Sequence, residues 1–281
     1  MCPNRIAWRI NPTMASREDA LQQLIEMSHW LGVESRGLVI LGEGNTSARV
    51  SDETFFVKAS GTCLGTIAPE GLVEVSFPKV LKMLDGPELT DDQIKANLKD
   101  ATIGDTKFLP SIETVFHAYL LTIPGVNFVG HTHPVSVLGI LCSPNWREVT
   151  KGRLFPDEIV CCGIAPAYVD YYDPGVSLAR EIRQAVQDYI KKYETRPKTI
   201  LMQNHGLIAL GSTAKEVESI TQMWDKTAKV LAGAITVQSA NLGTAKQILQ
   251  GNVPNYMSKK HVDRIYTRPD EEQRKKLIEG H

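Results

Sequence analysis

The stretch VGHTHPVSVLGI, residues 129–140, constrains the fold more than any other part of the sequence. Its first residues predict a β-strand, and Pro134 must end that strand because proline has no N–H to donate to a neighbouring strand. His131 and His133 are two positions apart, so their imidazoles project from the same face of the strand. Two imidazoles at a strand end are either half of a metal site or two histidines in an ordinary turn, because two ligands alone do not complete a zinc site. The remaining sequence has to decide between these interpretations.

A third histidine, His205, follows an apolar run in the sequence LMQNHGLIALG. The run at 199–203 predicts a buried strand, Gly206 permits a turn, and LIALG predicts the returning strand. A histidine at such a strand end can meet His131 and His133 across a sheet. Three histidines with an open position have the composition of a catalytic zinc site. The other four histidines are expected on helix surfaces, in helix packing or in the tail: His29, His117, His261 and His281.

Helical and strand patterns follow one another irregularly along the chain. Helices are predicted over 16–31, 78–84, from 111 to the Pro124-Gly125 pair, 134–142, 175–193 and from 213 to about 237. Strands are predicted over 55–58, 72–77, the run before Pro134, 158–162, 199–203 and 207–211. This mixture favours an α/β layered domain with a central, mainly antiparallel sheet flanked by helices. We expect residues 1–240 to form the catalytic domain and residues 241–281 to be a polar, weakly helical extension packed on it.

The composition is that of an ordinary water-soluble domain. Apolar residues make up 42% of the 281 positions and charged residues 22%, and the net charge of −1 gives no reason to expect nucleic acid or a membrane as partner. No apolar signal core begins the sequence, so a cytoplasmic location is expected. The five cysteines form no CxxC pair and are expected to be reduced thiols, with the last two on opposite faces of a strand: Cys2, Cys63, Cys142, Cys161 and Cys162.

Glu113 is the candidate for acid–base chemistry. It is expected in the first turn of the helix that starts near Ser111, where the helix dipole favours the ionised carboxylate. Burial would raise its pKa and a nearby divalent metal would lower it, and the sequence leaves the balance open. A carboxylate that only complements the helix dipole is the simpler alternative. His117, four residues further on, lies on the same helix face and could support Glu113 through a hydrogen bond.

Short polar segments could hold an anion. Small hydroxyls and free backbone amides occur at 44–47, at 60–62 and at Ser111, and Lys58 adds a cation beside the second segment. Each segment alone is also a common turn or cap signature. The GEGN sequence at 42–45 fits neither a Walker loop nor a dinucleotide fingerprint, so no nucleotide is inferred.

Five motifs in this order resemble the class II aldolase/adducin family: GNTS, KASG, PSIE, HTHP and NHG. The likeness runs from about Gly42 to Leu231. The segments VKASGT, PSIETVFHAYL and TRPDEEQR are closest to the aldolase part of bifunctional rhamnulose-1-phosphate aldolase/lactaldehyde dehydrogenases. This resemblance implies a lyase of carbohydrate metabolism, typically a homotetramer with sites at subunit interfaces.

The resemblance also implies roles for residues. His131, His133 and His205 would bind Zn²⁺, or another divalent metal such as Mn²⁺ or Co²⁺, and Glu113 would be the catalytic acid/base. The positions that match the substrate-phosphate contacts are Asn45, Ser60, Gly61 and Ser111, to which the neighbouring Lys58 is added. The implied reaction is cleavage of a short ketose or deoxyketose 1-phosphate to dihydroxyacetone phosphate and an aldehyde through a zinc-stabilised enediolate.

Two departures from the family pattern bear on the substrate. The small aldolases have PSSE where this chain has Ser111-Ile112-Glu113, and their proton-donating tyrosine about twenty residues after HxH is missing from GRLF at 152–155. The proton-donor role is therefore unassigned; Tyr168, Tyr171 and Tyr172 are nearby candidates, and ordinary packing is the simpler explanation for each of them. A decarboxylase of a 3-oxo acid phosphate, a sugar-phosphate dehydratase or an epimerase could use the same metal site. A non-catalytic adducin-like module is the alternative from another class of protein.

Overall fold

The computed structural model describes residues 16–241, 256–266 and 271–279, and the statements below concern these residues. The thiol of Cys2, the tail residue His281 and parts of the predicted 241–281 extension lie outside them. The described α-helices are α1 (Arg17–Leu31), α2 (Phe77–Asp85), α3 (Asp91–Ala101), α4 (Thr114–Thr122), α5 (Val135–Leu141), α6 (Trp146–Thr150), α7 (Pro156–Cys162), α8 (Val176–Tyr193), α9 (Ala214–Asn241), α10 (Lys259–Ile265) and α11 (Glu271–Glu279). None of them combines the length and apolar character that crossing a membrane requires.

Seven described strands form one sheet: β1 (Asn45–Arg49), β2 (Thr54–Lys58), β3 (Leu72–Ser76), β4 (Phe128–Thr132), β5 (Ala167–Val169), β6 (Thr199–Met202) and β7 (Gly206–Gly211). Their order is β3-β2-β1-β4-β7-β6-β5. All neighbours are antiparallel except the β5–β6 pair at one edge. The prediction of a central, mainly antiparallel sheet is therefore confirmed.

Helices cover both faces of the sheet, and the strands alternate between two apolar clusters. In β4, Val129 packs into one cluster and Phe128 into the other. In β7, Ile208 joins the first cluster and Leu207 the second. Helices α2, α3, α4 and α8 contribute to the first cluster, and α1, α5 and α9 to the second. This alternation is what a sheet buried on both sides requires, and it confirms the layered α/β architecture.

The predicted strand at 158–162 is wrong, because these residues belong to helix α7. Pro156 occupies the first turn, where its missing N–H costs nothing, and Asp157 and Glu158 lie next to it at the positive end of the helix dipole. Gly163, with φ of +76°, ends the helix. Cys162 is consequently buried and Cys161 half-buried on one helix, and all four described cysteines are free thiols.

Two further helices differ from the sequence expectation. Helix α3 was not expected, although Thr90 and Gln93 form a complete capping box at its start. Helix α4 begins at Thr114 rather than near Ser111, so Glu113 occupies the position just before the helix. Eight of the nine residues of α4 are buried, which fixes this helix firmly against the sheet.

The described parts of the C-terminal segment contact the rest of the chain. Tyr256 lies against Gly152, the hydroxyls of Tyr266 and Thr195 are 3.0 Å apart, and Leu277 is buried in the first apolar cluster. The division of the chain near residue 240 stays a prediction.

Candidate active site

The pairing of β4 with its neighbours brings the three predicted metal ligands together. His131 pairs with Ile208 of β7, so the turn that carries His205 lies beside the end of β4. On the other side, His131 pairs with Asn45 of β1. The ligand nitrogens of His131, His133 and His205 all lie within 4.8 Å of one another. His131 is fully buried, and the other two histidines are half-buried and open toward solvent.

Gly206 makes this close approach possible. A Cβ placed on it would lie 2.6 Å from the Thr132 carbonyl oxygen, 2.7 Å from Cδ2 of His133 and 3.2 Å from Cε1 of His131. Any larger residue would push the histidines apart, so the glycine is required by space at this position.

The ring orientations of two histidines are set by acceptors outside the cluster. Nδ1 of His131 lies 3.1 Å from the carbonyl oxygen of Leu207, and Nδ1 of His133 lies 3.2 Å from Oε2 of Glu43. Both Nδ1 atoms must carry the proton to donate to these oxygens, so each Nε2 presents a lone pair to the cluster. The two Nε2 atoms are 2.9 Å apart. Lone pairs that face each other at this distance repel unless a cation lies between them, and an outer carboxylate on Nδ1 is a common companion of metal-binding histidines.

Electrostatics also keeps these imidazoles neutral. Burial lowers the pKa of His131 well below its usual value, which the attraction of Glu113 only partly offsets. Burial likewise lowers the pKa of His133, and the neighbouring His205 acts in the same direction. Neutral imidazole is the form that binds metal ions, so the donor set fits a divalent cation.

Glu113 faces the histidine cluster. Its Oε1 is 3.2 Å from Nε2 of His205, its Oε2 is 3.6 Å from Nε2 of His131, and Asn45 donates Nδ2–H to Oε2 at 2.5 Å. Burial pushes the pKa of this carboxyl upward, but His131, His205 and the hydrogen bond from Asn45 outweigh it and hold the pKa well below its usual range. The balance that the sequence left open therefore falls on the side of the ionised carboxylate.

His117 lies beneath Asn45 and is fully buried. Its Nε2 makes a short contact with Oδ1 of Asn45, and its Nδ1 is 2.7 Å from Oγ of Ser47. Burial lowers the pKa of His117 to about 3, so the ring is neutral. The expected hydrogen bond from His117 to Glu113 is not found among the described residues, because the two ring nitrogens face Asn45 and Ser47 instead.

The candidate phosphate-binding residues differ in solvent exposure and in the hydrogen bonds that they already make. Ser60 and Gly61 are exposed in the turn after β2, whereas Ser111 is half-buried and its Oγ accepts the backbone N–H of Glu113 at 3.3 Å. Ser60 donates its backbone N–H to the carbonyl of Leu109, which holds the 60–61 turn beside the segment that carries Ser111.

Two of these candidates have other partners in the structure. Lys58 is buried, donates Nζ–H to the Gly42 carbonyl at 3.0 Å, and has its pKa lowered by burial. The amide of Asn45 is engaged at both ends, by Glu113 and by His117.

The candidate replacements for the missing tyrosine make contacts of their own. Tyr168 accepts a hydrogen bond from the Thr150 hydroxyl at 3.3 Å, and the Tyr171 hydroxyl donates to Asp173 at 3.0 Å. Tyr172 is exposed to solvent.

Sequence reasoning missed Glu43. Its Oε1 accepts the backbone N–H of Ile40 at 2.6 Å, and its Oε2 holds His133. The only signal was an acidic residue between two glycines, and its pairing with a residue 90 positions away depends on the folded loop.

Several known proteins are similar to this chain in sequence. A sequence model of the class II aldolase and adducin N-terminal domain matches residues 22–232. The chain is 26% identical over 196 residues to a 3-oxo-tetronate 4-phosphate decarboxylase from Haemophilus influenzae, covering 69% of this chain and 79% of that protein. It is 25% identical over 203 residues to an uncharacterized oxidoreductase, YuxG, from Bacillus subtilis, covering 69% of this chain but 27% of that longer protein.

Solved structures share the fold at lower identity. YgbL from Klebsiella pneumoniae, described as a putative aldolase/epimerase/decarboxylase, superposes with a TM-score of 0.62 at 20% identity, covering 90% of this chain and all of that one (100%). L-fuculose-1-phosphate aldolase from Thermus thermophilus gives a TM-score of 0.56 at 16% identity, covering 79% and 98%.

The chain belongs to the class II aldolase and adducin N-terminal domain family. This membership supports an enzymatic function of the lyase or decarboxylase type, and the described residues contain a candidate site for a divalent metal at His131, His133 and His205.

Proposed function

We propose that this protein is a metal-dependent lyase that breaks a carbon–carbon bond next to a carbonyl group in a small phosphorylated sugar. The favoured reaction is aldol cleavage of a short ketose 1-phosphate to dihydroxyacetone phosphate and an aldehyde. The observation that carries this proposal is the convergence of three imidazoles within 4.8 Å, with the Glu113 carboxylate 3.2 Å from one of them.

The three histidines are the residues that would hold the cation, and zinc is the metal we propose. When bound, such a cation polarises a carbonyl and stabilises the negative charge that develops as the bond breaks. Glu113 is ionised and held by Asn45, so in the direction of aldol addition it would take the proton from the carbon of dihydroxyacetone phosphate that forms the new bond. In the direction of cleavage the protonated carboxyl would return that proton to the same carbon. Since this route needs no Schiff base, no lysine has to reach the site.

We further propose that the substrate phosphate lies against Ser60, Gly61 and Ser111, with Lys58 supplying positive charge beneath them. The two turns are adjacent and offer the hydroxyls of Ser60 and Ser111 to an anion, whereas the backbone N–H groups of these two residues already donate to the carbonyls of Leu109 and Lys58. Asn45 would reach the phosphate only by giving up one of its two present hydrogen bonds.

Decarboxylation is the second candidate. The Haemophilus influenzae relative is named a 3-oxo-tetronate 4-phosphate decarboxylase and aligns over 79% of its length. Loss of carbon dioxide from a 3-oxo acid also leaves negative charge next to a carbonyl, so the same cluster would serve it.

The assembly and the subgroup are also proposals. A homotetramer is favoured because the family resemblance suggests it. The likeness to the aldolase part of a bifunctional protein gains support from the Bacillus subtilis relative, which is named an oxidoreductase and of which this chain spans 27%.

The test begins with the metal. Purified protein should contain close to one divalent ion per chain, measured by plasma emission spectroscopy, and chelation should abolish turnover until the metal is restored. Incubation with a panel of ketose 1-phosphates and 3-oxo acid phosphates should then give aldehyde or carbon dioxide. A protein that takes up no metal and turns over neither class of substrate would contradict the lyase proposal.

Glu113→Gln is the informative variant. It removes the proton acceptor but keeps the shape, so kcat should fall by about 10²- to 10⁴-fold while the metal content stays the same. Glu34→Gln, in an exposed turn, is the matched control and should leave both unchanged. Loss of metal in Glu113→Gln would instead make the carboxylate mainly a ligand.

A further inference from the structure

Hydrogen bonds connect Ser47, His117, Asn45 and Glu113 in a chain, and the donor and acceptor in each bond follow from the chemistry of the groups. The amide nitrogen of Asn45 can only donate, and it donates Nδ2–H to Oε2 of Glu113 at 2.5 Å. Oδ1 of Asn45 then faces Nε2 of His117, which must carry the ring proton and donate. Nδ1 of the neutral ring is left with a lone pair, which accepts from the hydroxyl of Ser47.

The strand and the helix hold these groups in place. Asn45 and Ser47 are alternate residues of β1 and project from the same face, and His117 of α4 lies against both. Their exposed fractions are 3% for Asn45 and 0% for Ser47 and His117, so water cannot replace a lost partner. Burial also lowers the pKa of His117, which keeps the ring in the neutral form that this order of bonds requires.

We propose that His117, supported by Ser47, is a positioning residue that fixes the amide of Asn45 and thereby holds the carboxylate of Glu113 in its reactive orientation. This inference rests on the proposed function, because it assigns His117 a role in the same reaction. His117 itself touches neither the histidine cluster nor the carboxylate through any hydrogen bond found among the described residues.

The side-chain amide of Asn45 has a second possible orientation, in which its oxygen and nitrogen exchange places, and this orientation would disturb Glu113. If the amide turned by half a rotation, Oδ1 would face the carboxylate and two negatively polarised oxygens would meet in a buried space. Glu113 would then turn away from the point where it faces His131 and His205. The proton on Nε2 of His117 prevents this because Nδ2 of the rotated amide would meet a donor instead of an acceptor.

Two substitutions of His117 separate the proposed role from simple packing. The amide nitrogen of glutamine reaches the place of Nε2, so His117→Gln can still donate to Asn45. The shorter asparagine reaches only the place of Nδ1, so His117→Asn keeps a partner for Ser47 and loses the bond to Asn45. Both variants put a neutral amide into the same cavity.

We expect His117→Asn to lower kcat about 10- to 100-fold with KM changed by less than about twofold, because a hydrogen bond to a charged group has been weakened. His117→Gln should retain kcat within about threefold of the unmodified protein. Metal content should be the same in both. Equal loss of kcat in the two variants would overturn the proposal, since packing alone would then account for it.

Ser28→Ala is the control for loss of a buried hydrogen bond. Ser28 bonds to Thr46 at 2.7 Å on the opposite face of β1, away from Glu113. This variant should lower the melting temperature while kcat stays unchanged. A comparable fall of kcat in Ser28→Ala would mean that kcat follows stability and would overturn the proposed role.

Crystal structures of the two His117 variants give a readout that does not need turnover. The contact between Nδ2 of Asn45 and Glu113 should persist in His117→Gln and be lost in His117→Asn. An unchanged contact in His117→Asn would overturn the inference. Failure of the unmodified protein to cleave any substrate would count against the proposed function alone, and the structures would still test the positioning.

Discussion

Replacing Gly206 with alanine tests how tightly the histidine cluster is packed. The added Cβ would lie 2.6 Å from a backbone oxygen, 2.7 Å from Cδ2 of His133 and 3.2 Å from Cε1 of His131. Both ring atoms are bonded to Nε2, so the methyl group would act directly on the two atoms that face each other at 2.9 Å. The backbone oxygen cannot move without disturbing the end of β4, and the rings must therefore give way.

The expected magnitude follows from these contacts. Overpacking of a tightly filled site costs about 1–3 kcal/mol, which for a chain of this size lowers the melting temperature by about 2–12 °C. Displacement of two ligand rings should weaken metal binding by at least about 10-fold, as changes around metal ligands typically do. Differential scanning calorimetry measures the first effect, and competition with a chelating dye measures the second.

Gly139→Ala is the matched control for Gly206→Ala. Gly139 lies in α5, and a Cβ built there has nothing within 4 Å. Alanine should stabilise this helix by about 0.5–1 kcal/mol and leave metal affinity unchanged. If Gly206→Ala instead behaves as Gly139→Ala does, the histidine rings are not packed tightly against Gly206.

Two other predictions concern residues around the cluster. Glu43→Gln should weaken metal binding about 10- to 100-fold in the same dye competition, because an amide can accept only one of the two hydrogen bonds from Ile40 and His133; unchanged affinity would argue against this outer contact. Acid should destabilise the protein through His117, whose pKa falls from 6.5 to about 3 on folding. The depressed pKa means that the neutral ring contributes stability above pH 6.5 that is lost as the pH falls toward 3, by about 1.4 kcal/mol per pH unit. Denaturant unfolding between about pH 6 and pH 4 should show a correspondingly smaller pH dependence in His117→Gln, and equal slopes would contradict the assignment.

Much of the fold was predictable because its strongest signals are local. Helix α1 was expected from the cap at Ser16, which indeed forms a capping box with Asp19. The end of the strand at Pro134 was expected because proline cannot donate to a neighbouring strand, and the turn at His205 was expected because Gly206 permits it. Local signals also failed where two patterns competed: the apolar residues at 158–162 were assigned to a strand, although Pro156 before them and Gly163 after them are helix boundaries.

The histidine cluster of the candidate site was predictable from the sequence, but the contacts of Glu43 and Asn45 around it were not. Spacing along β4 placed His131 and His133 on one face, and the cluster with His205 forms in the structure. Sequence could not say that Asn45 would be held between Glu113 and His117, because these bonds cross 68 and 72 positions of the chain. Whether the pKa of Glu113 is raised or lowered likewise depends on which side chains lie next to it in the folded protein, and the sequence does not show these neighbours.

The contrast between the histidines and the polar turns has a consequence for how such a protein can change over time. His131 lies inside a strand and is fully buried, so substitutions near it carry a folding penalty. Ser60 and Gly61 lie in an exposed turn outside the sheet, where most replacements cost little stability. Related proteins can therefore change their substrate through substitutions in these turns, while the residues of the sheet keep the histidine cluster unchanged.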